Sequence, residues 1–194
     1  MQPVTLTLNW TDEELHDAIT TVLANITGLD PNSGEIRIAY SQQGQPSWRH
    51  DDTVVAYYLN PVNDAFDQDI TDSLEYDGEK DLIVKTERFT QVLECRCSCY
   101  GPQSRMLSTL IRAGIQSDEN RLTLSKVGIY PVPKVPPPIF MPYEYNKQWW
   151  LRSDVVITLN VFSTITSTVN RLVSAEISIN SENTGEKINV NTSS

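Results

Sequence analysis

Residues 92–117 read VLECRCSCYGPQSRMLSTLIRAGIQS, and a change of period inside them decides the fold. Up to Tyr100 the chain alternates. Leu93, Cys95, Cys97 and Cys99 fall on one side, and Glu94, Arg96, Ser98 and Tyr100 on the other. The first set is apolar and the second polar, the pattern of a half-buried strand. Past Gly101-Pro102 the period lengthens. Leu107, Leu110, Ile111, Gly114 and Ile115 share one face at helical spacing, and Pro102 suits the first helical position. A long strand, or two with a break, is expected over 85–101, running straight into a helix.

The three cysteines are all the chain has. Same-face neighbours on a strand lie about 6.6 Å apart along the backbone. Two sulfurs on one zinc ion are at most about 4.6 Å apart, so three in a row fit one ion poorly. A disulfide between such neighbours fits poorly too. A free cysteine at alternate strand positions behaves as a small hydrophobe, and core packing is the reading adopted.

Outward from this centre the elements alternate. In NWTDEELHDAITTVLANITGL, Thr11 and Glu14 have capping-box spacing, and Asp12, Glu13 and Glu14 suit a helix start. Leu15, Ile19, Val22, Leu23 and Ile26 form the apolar face, and Gly28 marks the stop. His16 is expected to be solvated on the polar side. EIRIAY (35–40) and TVVAYYL (53–59) read as strands. LEYDGEKDLIV reads as a hairpin with Asp77-Gly78 in its loop. ENRLTLSKV reads as a second short helix or turn. Residues 130–148 hold six of the eleven prolines, so they form neither regular helix nor central strand. They are a linker or an extended arm, and neither flank could build a core alone, so an arm within one domain is preferred. WWLRSDVVITLNVFSTITST (149–168) reads as a strong strand with RLVSAEISIN (171–180) as its partner. The fold class expected is α+β, a mostly antiparallel β-sheet with helices on one face. It forms a single domain over 1–180, followed by a loose polar tail over 181–194.

The charge is uneven. Residues 1–80 carry 15 acids and 3 bases, and residues 81–194 carry 10 acids and 12 bases, for a net charge of −10. Such an acidic first part repels phosphates and argues against a nucleic-acid reader. A solvated acidic surface fits it, as does a face that nucleic acid passes without sticking or that docks a basic partner. No run of about 18 apolar residues occurs. No signal peptide is visible, so cytoplasmic folding with reduced thiols is expected.

Catalytic constellations are thin. The two histidines, His16 and His50, are far apart in sequence, and no nucleophile elbow, phosphate-binding glycine loop or zinc-helix motif occurs. Asp64, Asp67 and Asp69 are close together but do not match a calcium loop. An enzyme is the minority reading, and no cofactor or metal is expected. Trp149-Trp150 points elsewhere. On a strand the two indoles face opposite sides, and an exposed tryptophan is a favoured interface anchor.

These stretches together resemble the neck or tail terminator proteins of tailed bacteriophages. The features carrying the resemblance are a strand ending Tyr100-Gly101-Pro102, then a helix with Leu107, Ile111 and Gly114-Ile115. A proline-rich arm follows, then Trp149 or Trp150, Arg152, Asp154 and an apolar strand from Val155 to Val161. The likeness covers roughly residues 53–180. The acidic N-terminal part and the triple cysteine depart from it.

The resemblance implies a non-enzymatic homo-oligomeric ring, a hexamer, assembled in the host cytoplasm into the virion. It would cap the tail tube at full length and join it to the head. Tail tube protein and a head-tail connector or head-completion protein would be its partners, with the tail sheath a further candidate. DNA would only pass through. Interface candidates are Tyr100, Gly101, Pro102, Pro136, Pro137, Pro138, Trp149, Trp150 and Arg152. Asp64, Asp67, Asp69, Asp72, Asp77 and Glu79 would line the lumen or its rim. The free edges of 89–100 or 149–163 would let the sheet continue between subunits. Another neck, tube or baseplate component is the alternative, and a soluble enzyme or metal-binding domain a weaker one.

Overall fold

The computed structural model describes residues 6–39, 48–79, 82–170, 174–180 and 187–193. The first helix, α1 (Asp12–Thr27), starts as its capping box dictates. Thr11 Oγ1 accepts the Glu14 N–H at 3.2 Å, and Glu14 Oε2 accepts the Thr11 N–H at 2.8 Å. Gly28 closes the helix in the left-handed conformation, its N–H donating to Ala24 O. Leu15, Ile19, Val22 and Leu23 are buried along one stripe. Each such side chain removed from water is worth about 1.5–3 kcal/mol.

The main sheet follows the alternation. After the short β1 (Leu6–Leu8) come β2 (Ile36–Ile38) and β3 (Val54–Pro61), which pair in parallel. Next are β4 (Thr71–Asp77) and β5 (Leu82–Tyr100), paired with each other through the hairpin expected at Asp77-Gly78. β5 is one unbroken strand of 19 residues. It pairs antiparallel with β3 from Val54↔Tyr100 to Pro61↔Leu93. Then come α2 (Ser104–Gly114), α3 (Asp118–Ser125), β6 (Ile129–Pro131), β7 (Ile139–Phe140), β8 (Tyr143–Tyr145), β9 (Gln148–Trp150) and β10 (Arg152–Asn170). The spine of the sheet runs β1-β10-β5-β3-β2, with β4 on β5 and with β6 and β7 on β10. The fold class is α+β.

One core joins the layers. Alternate residues Val155, Ile157, Leu159 and Val161 of β10 meet Leu93, Cys95, Cys97 and Cys99 of β5, Val55 and Tyr57 of β3, and the buried faces of the helices. The Tyr57 ring is fully buried, and its hydroxyl is satisfied by α1. It donates to His16 O at 2.9 Å and lies 2.8 Å from Thr20 Oγ1 and 3.2 Å from His16 Nδ1. His16 is therefore half-buried and partnered, not solvated, because a buried phenol needs polar company from the nearest helix turn.

The cysteine reading holds for burial and is corrected on distance. All three thiols are free and buried. The Cys95 and Cys97 sulfurs lie 3.7 Å apart, closer than the backbone spacing, so backbone spacing alone does not keep this pair apart. The thiol–thiol contact with Cys95 and complete burial push the Cys97 thiol well above its ordinary pKa. Burial, then the charge of Asp154, pushes Cys99 up to about 12. A neutral thiol in the native state and a thiolate in the unfolded chain favour unfolding. Stability contributed here is complete below the ordinary thiol pKa near 9 and is lost as pH rises from there toward 12. We expect a thiol reagent at pH 8 to label none of the three cysteines in the native chain and all three in denaturant. The unfolding midpoint should fall as pH is raised past 9. Fast labelling of the native chain would remove these residues from the core.

Several other expectations change. Pro102 precedes α2 by two residues and is exposed, so it is not the first helical residue; Gln103 is the N-cap. Leu110 lies outside the buried stripe of Leu107, Ile111 and Ile115. The tryptophans belong to β9, separated from β10 at Leu151. The stretch expected to partner β10 forms β11 (Ser174–Asn180), which pairs instead with β12 (Lys187–Ser193), so this part of the polar tail is a strand. Neither long strand has a free edge where one was expected. β10 carries β7 at Ser153–Asp154 and β6 at Leu159–Val161 on the side away from β5, and β5 lies between β10 and β3. The proline arm causes this by running back along β10.

The chain divides into two compact units. The larger comprises 8–71 and 88–164; the smaller comprises the described parts of 1–7, 72–87 and 165–194. The arm lies wholly within the larger unit and separates nothing.

Candidate interaction surface

Strand alternation also builds what lies on the other side of the sheet. If odd-numbered residues of β5 and β10 face the helices, then Ser98, Tyr100, Arg152 and Asp154 face away. Arg152 forks onto Asp154 at 2.7 and 2.6 Å, donates to Ser98 Oγ at 3.1 Å, and stands 5.7 Å from the Tyr100 ring centre. The hydrogen bond to Asp154 raises the Arg152 pKa, and burial raises that of Tyr100. This guanidinium ties β10 to β5.

Above it folds the β8–β9 hairpin. Its two turn residues, Asn146 (φ 51°) and Lys147 (φ 61°), both have positive φ, as a two-residue hairpin loop with right-handed strand twist requires. Pairing sets Tyr143 opposite Trp150, Glu144 opposite Trp149 and Tyr145 opposite Gln148. The inward face is aromatic. Trp150 stacks on Tyr143 at 6.3 Å and meets Tyr145 edge-on at 6.1 Å; Tyr100 touches Tyr143 at 6.4 Å and Trp48 at 5.4 Å. Such pairs add about 0.5–1.5 kcal/mol each beyond buried area.

The outward face is different. Trp149 is 64% exposed, whereas Trp150 is 6% exposed. The opposite-sides reading of the pair holds, and the buried indole packs under Tyr143 and Tyr145 of the hairpin. Beside it the Met141 N–H donates to Arg152 O at 2.8 Å, which brings the exposed Ile139, Phe140 and Met141 alongside the start of β10. Leu151 is exposed as well.

Two long side chains of α2 pin the proline arm. Arg112 Nε donates to Val135 O at 2.9 Å, and Gln116 Nε2 to Val132 O at 3.1 Å. Val135 is buried beneath, while Pro136 and Pro137 are exposed and Pro138 half-buried. At the strand-to-helix corner Gly101 is buried at φ 89°, its N–H bonded to Leu151 O at 3.1 Å. The structure thus gathers Tyr100, Trp150 and Arg152 into one cluster, joins Gly101 to its edge, and leaves Trp149 and the prolines outside it.

The acidic candidates divide. Asp64 is half-buried and Asp69 exposed in the larger unit; Asp72 and Glu79 are exposed in the smaller unit, where Asp77 Oδ1 accepts the Glu79 N–H at 3.1 Å. The Asp67 side chain lies outside the described residues. Among the described residues no group of three His, Cys, Asp or Glu side chains is placed to hold a metal ion, and no helix is long and apolar enough to cross a membrane. Sequence reasoning missed Trp48, Tyr143 and Tyr145 as cluster members, although YEYNKQWW has a hairpin's aromatic alternation around Asn146-Lys147.

A family model described as phage neck terminator protein matches residues 12–184. The chain belongs to that family, and its role is structural, in the phage neck. No curated protein matches the sequence.

Proposed function

We propose that copies of this chain close into a ring, a hexamer, that caps the completed tail tube and joins it to the head connector, with DNA passing through. The observation that carries this is Trp149. A 64% exposed indole stands on a hairpin whose other face is locked into an aromatic cluster. With Ile139, Phe140, Met141 and Leu151 nearby it makes an apolar outer surface on a preorganised support. Free in water such a surface is costly, and buried against a partner it is an anchor. The arm, already restricted by its prolines, loses little entropy on docking. Like charge at Asp64, Asp69, Asp77 and Glu79, on the lumen or rim, keeps DNA from sticking in passage.

The test is electron microscopy of the purified chain, alone and mixed with isolated tail tubes. A ring with a central hole, one per tube end, is expected. A chain monomeric alone that leaves tube ends bare would overturn the proposal. Unaided polymerisation into tubes would make it a tube subunit instead.

A further inference from the structure

β4 has no buried face. Every residue from Thr71 to Asp77 is exposed or half-buried. Its alternate positions nevertheless differ in chemistry. Asp72, Leu74 and Tyr76 share one side, and Ser73, Glu75 and Asp77 the other. Leu74 is 65% exposed and Tyr76 57% exposed. Together they form a short apolar ridge on the β4–β5 hairpin of the smaller unit. The stretch 71–79 around it carries four acids and no base. On the adjoining strand Lys85 pairs with Glu87 and also feels the charge of Asp72, and the hairpin stays acidic in sum, with six acids and two bases over 71–87.

α2, in the larger unit, carries the complement. Leu107 and Ile111 bury its inner side. Met106, Leu110 and Ala113, at i, i+4 and i+7, are exposed on the outer side and make an apolar stripe. Arg105 and Arg112 border the stripe, and the helix holds no acid. Between α2 and the arm lies an open groove of about 320 Å³ whose charged lining residues are Arg112 and Lys134. The Arg105 guanidinium, beside the stripe, lies 5.4 Å from the Phe140 ring centre.

We infer that the β4 ridge of one copy docks on the α2 stripe of the next, with Leu74 and Tyr76 against Met106 and Leu110. Asp72, on the ridge's side, then faces Arg105, Arg112 and Lys134. Charge complementarity names the occupant as a second copy of this chain: β4 carries acids and no base, and α2 carries bases and no acid. Because the patches differ, the contact is head-to-tail, the kind that closes rings. Glu75 and Asp77, on the opposite side of β4, lie outside this contact. This inference rests on the ring reading and specifies its subunit contact.

Two variants test it, each altering exposed residues only: L74S/Y76S and M106S/L110S. Sedimentation velocity on the full chain, with circular dichroism as the folding control, reads assembly. Each variant alone should associate roughly 30-fold more weakly than the unaltered chain, as losing about 2 kcal/mol of hot-spot contact implies. An equimolar mixture should recover heterodimers, because each partner supplies the patch the other lacks, but no ring. Assembly of either folded variant at unaltered strength, or a mixture that stays monomeric, would overturn the contact while leaving the ring intact. Failure of the unaltered chain to assemble, alone and on tail tubes, would remove ring and contact together.

Discussion

Gly101→Ala is expected to bring the chain close to unfolding. The added Cβ would sit 2.3 Å from Asp52 O and 3.0 Å from Asp52 C, atoms of a neighbouring backbone and not the tip of a flexible side chain. Nor can the residue rotate away, because φ is 89° and its N–H is held by Leu151 O and its carbonyl by the Ser104 N–H. An alanine forced left-handed costs about 1–2 kcal/mol, and overpacking adds about 1–3 kcal/mol. Together these consume much of a total stability of about 5–15 kcal/mol. Urea unfolding would read this as a midpoint shifted down with an unchanged slope. A shift below about 1 kcal/mol would show that the corner yields and that the glycine is not what fixes it. Pro102→Ala, one residue on at an exposed position, should change stability by less than about 0.5 kcal/mol.

That corner also shows what could be read from sequence. The period change at Tyr100-Gly101-Pro102 depends on spacings of two and four residues, and such local rules placed β5, α2 and the buried cysteines. The capping box at Thr11 and Glu14 was legible for the same reason. Contacts between distant parts of the chain were not. The edge of β10 was expected to be free because its covering strands lie elsewhere: Pro131 pairs with Leu159, and Ile139 with Asp154. No local pattern reports such a pairing. His16 was misread because its partner, the Tyr57 hydroxyl, lies 41 residues away. The interface candidates were legible by type, since a tryptophan pair on an extended segment must split between core and surface. Which of the two was exposed depended on the Asn146-Lys147 turn, which fixes the hairpin's register.

Trp149 and Trp150 should therefore separate stability from assembly. Trp150→Ala empties the centre of the aromatic cluster. It removes the stack on Tyr143 and the edge contact with Tyr145. Loss of a buried aromatic costs about 3–5 kcal/mol, so the hairpin should lose its support and the unfolding midpoint should fall sharply. Trp149→Ala, 64% exposed and directed away from that cluster, should move stability by less than about 0.5 kcal/mol. Its cost should appear where partners meet. An exposed aromatic anchor removed from the centre of an interface weakens association by about 2 kcal/mol or more, roughly 30-fold. Two measurements separate the roles: urea unfolding of the purified variants, and joining of heads to tails when each variant is supplied to a phage lacking its own copy. Loss of joining by folded Trp149→Ala, beside an unstable Trp150→Ala, is the expected pair of results. Normal joining by Trp149→Ala would show that the exposed indole meets no partner, and the apolar surface around it would lose its anchor. The hairpin then would serve only to cover Tyr100 and Arg152, and interface contacts would have to come from the α2 side of the larger unit.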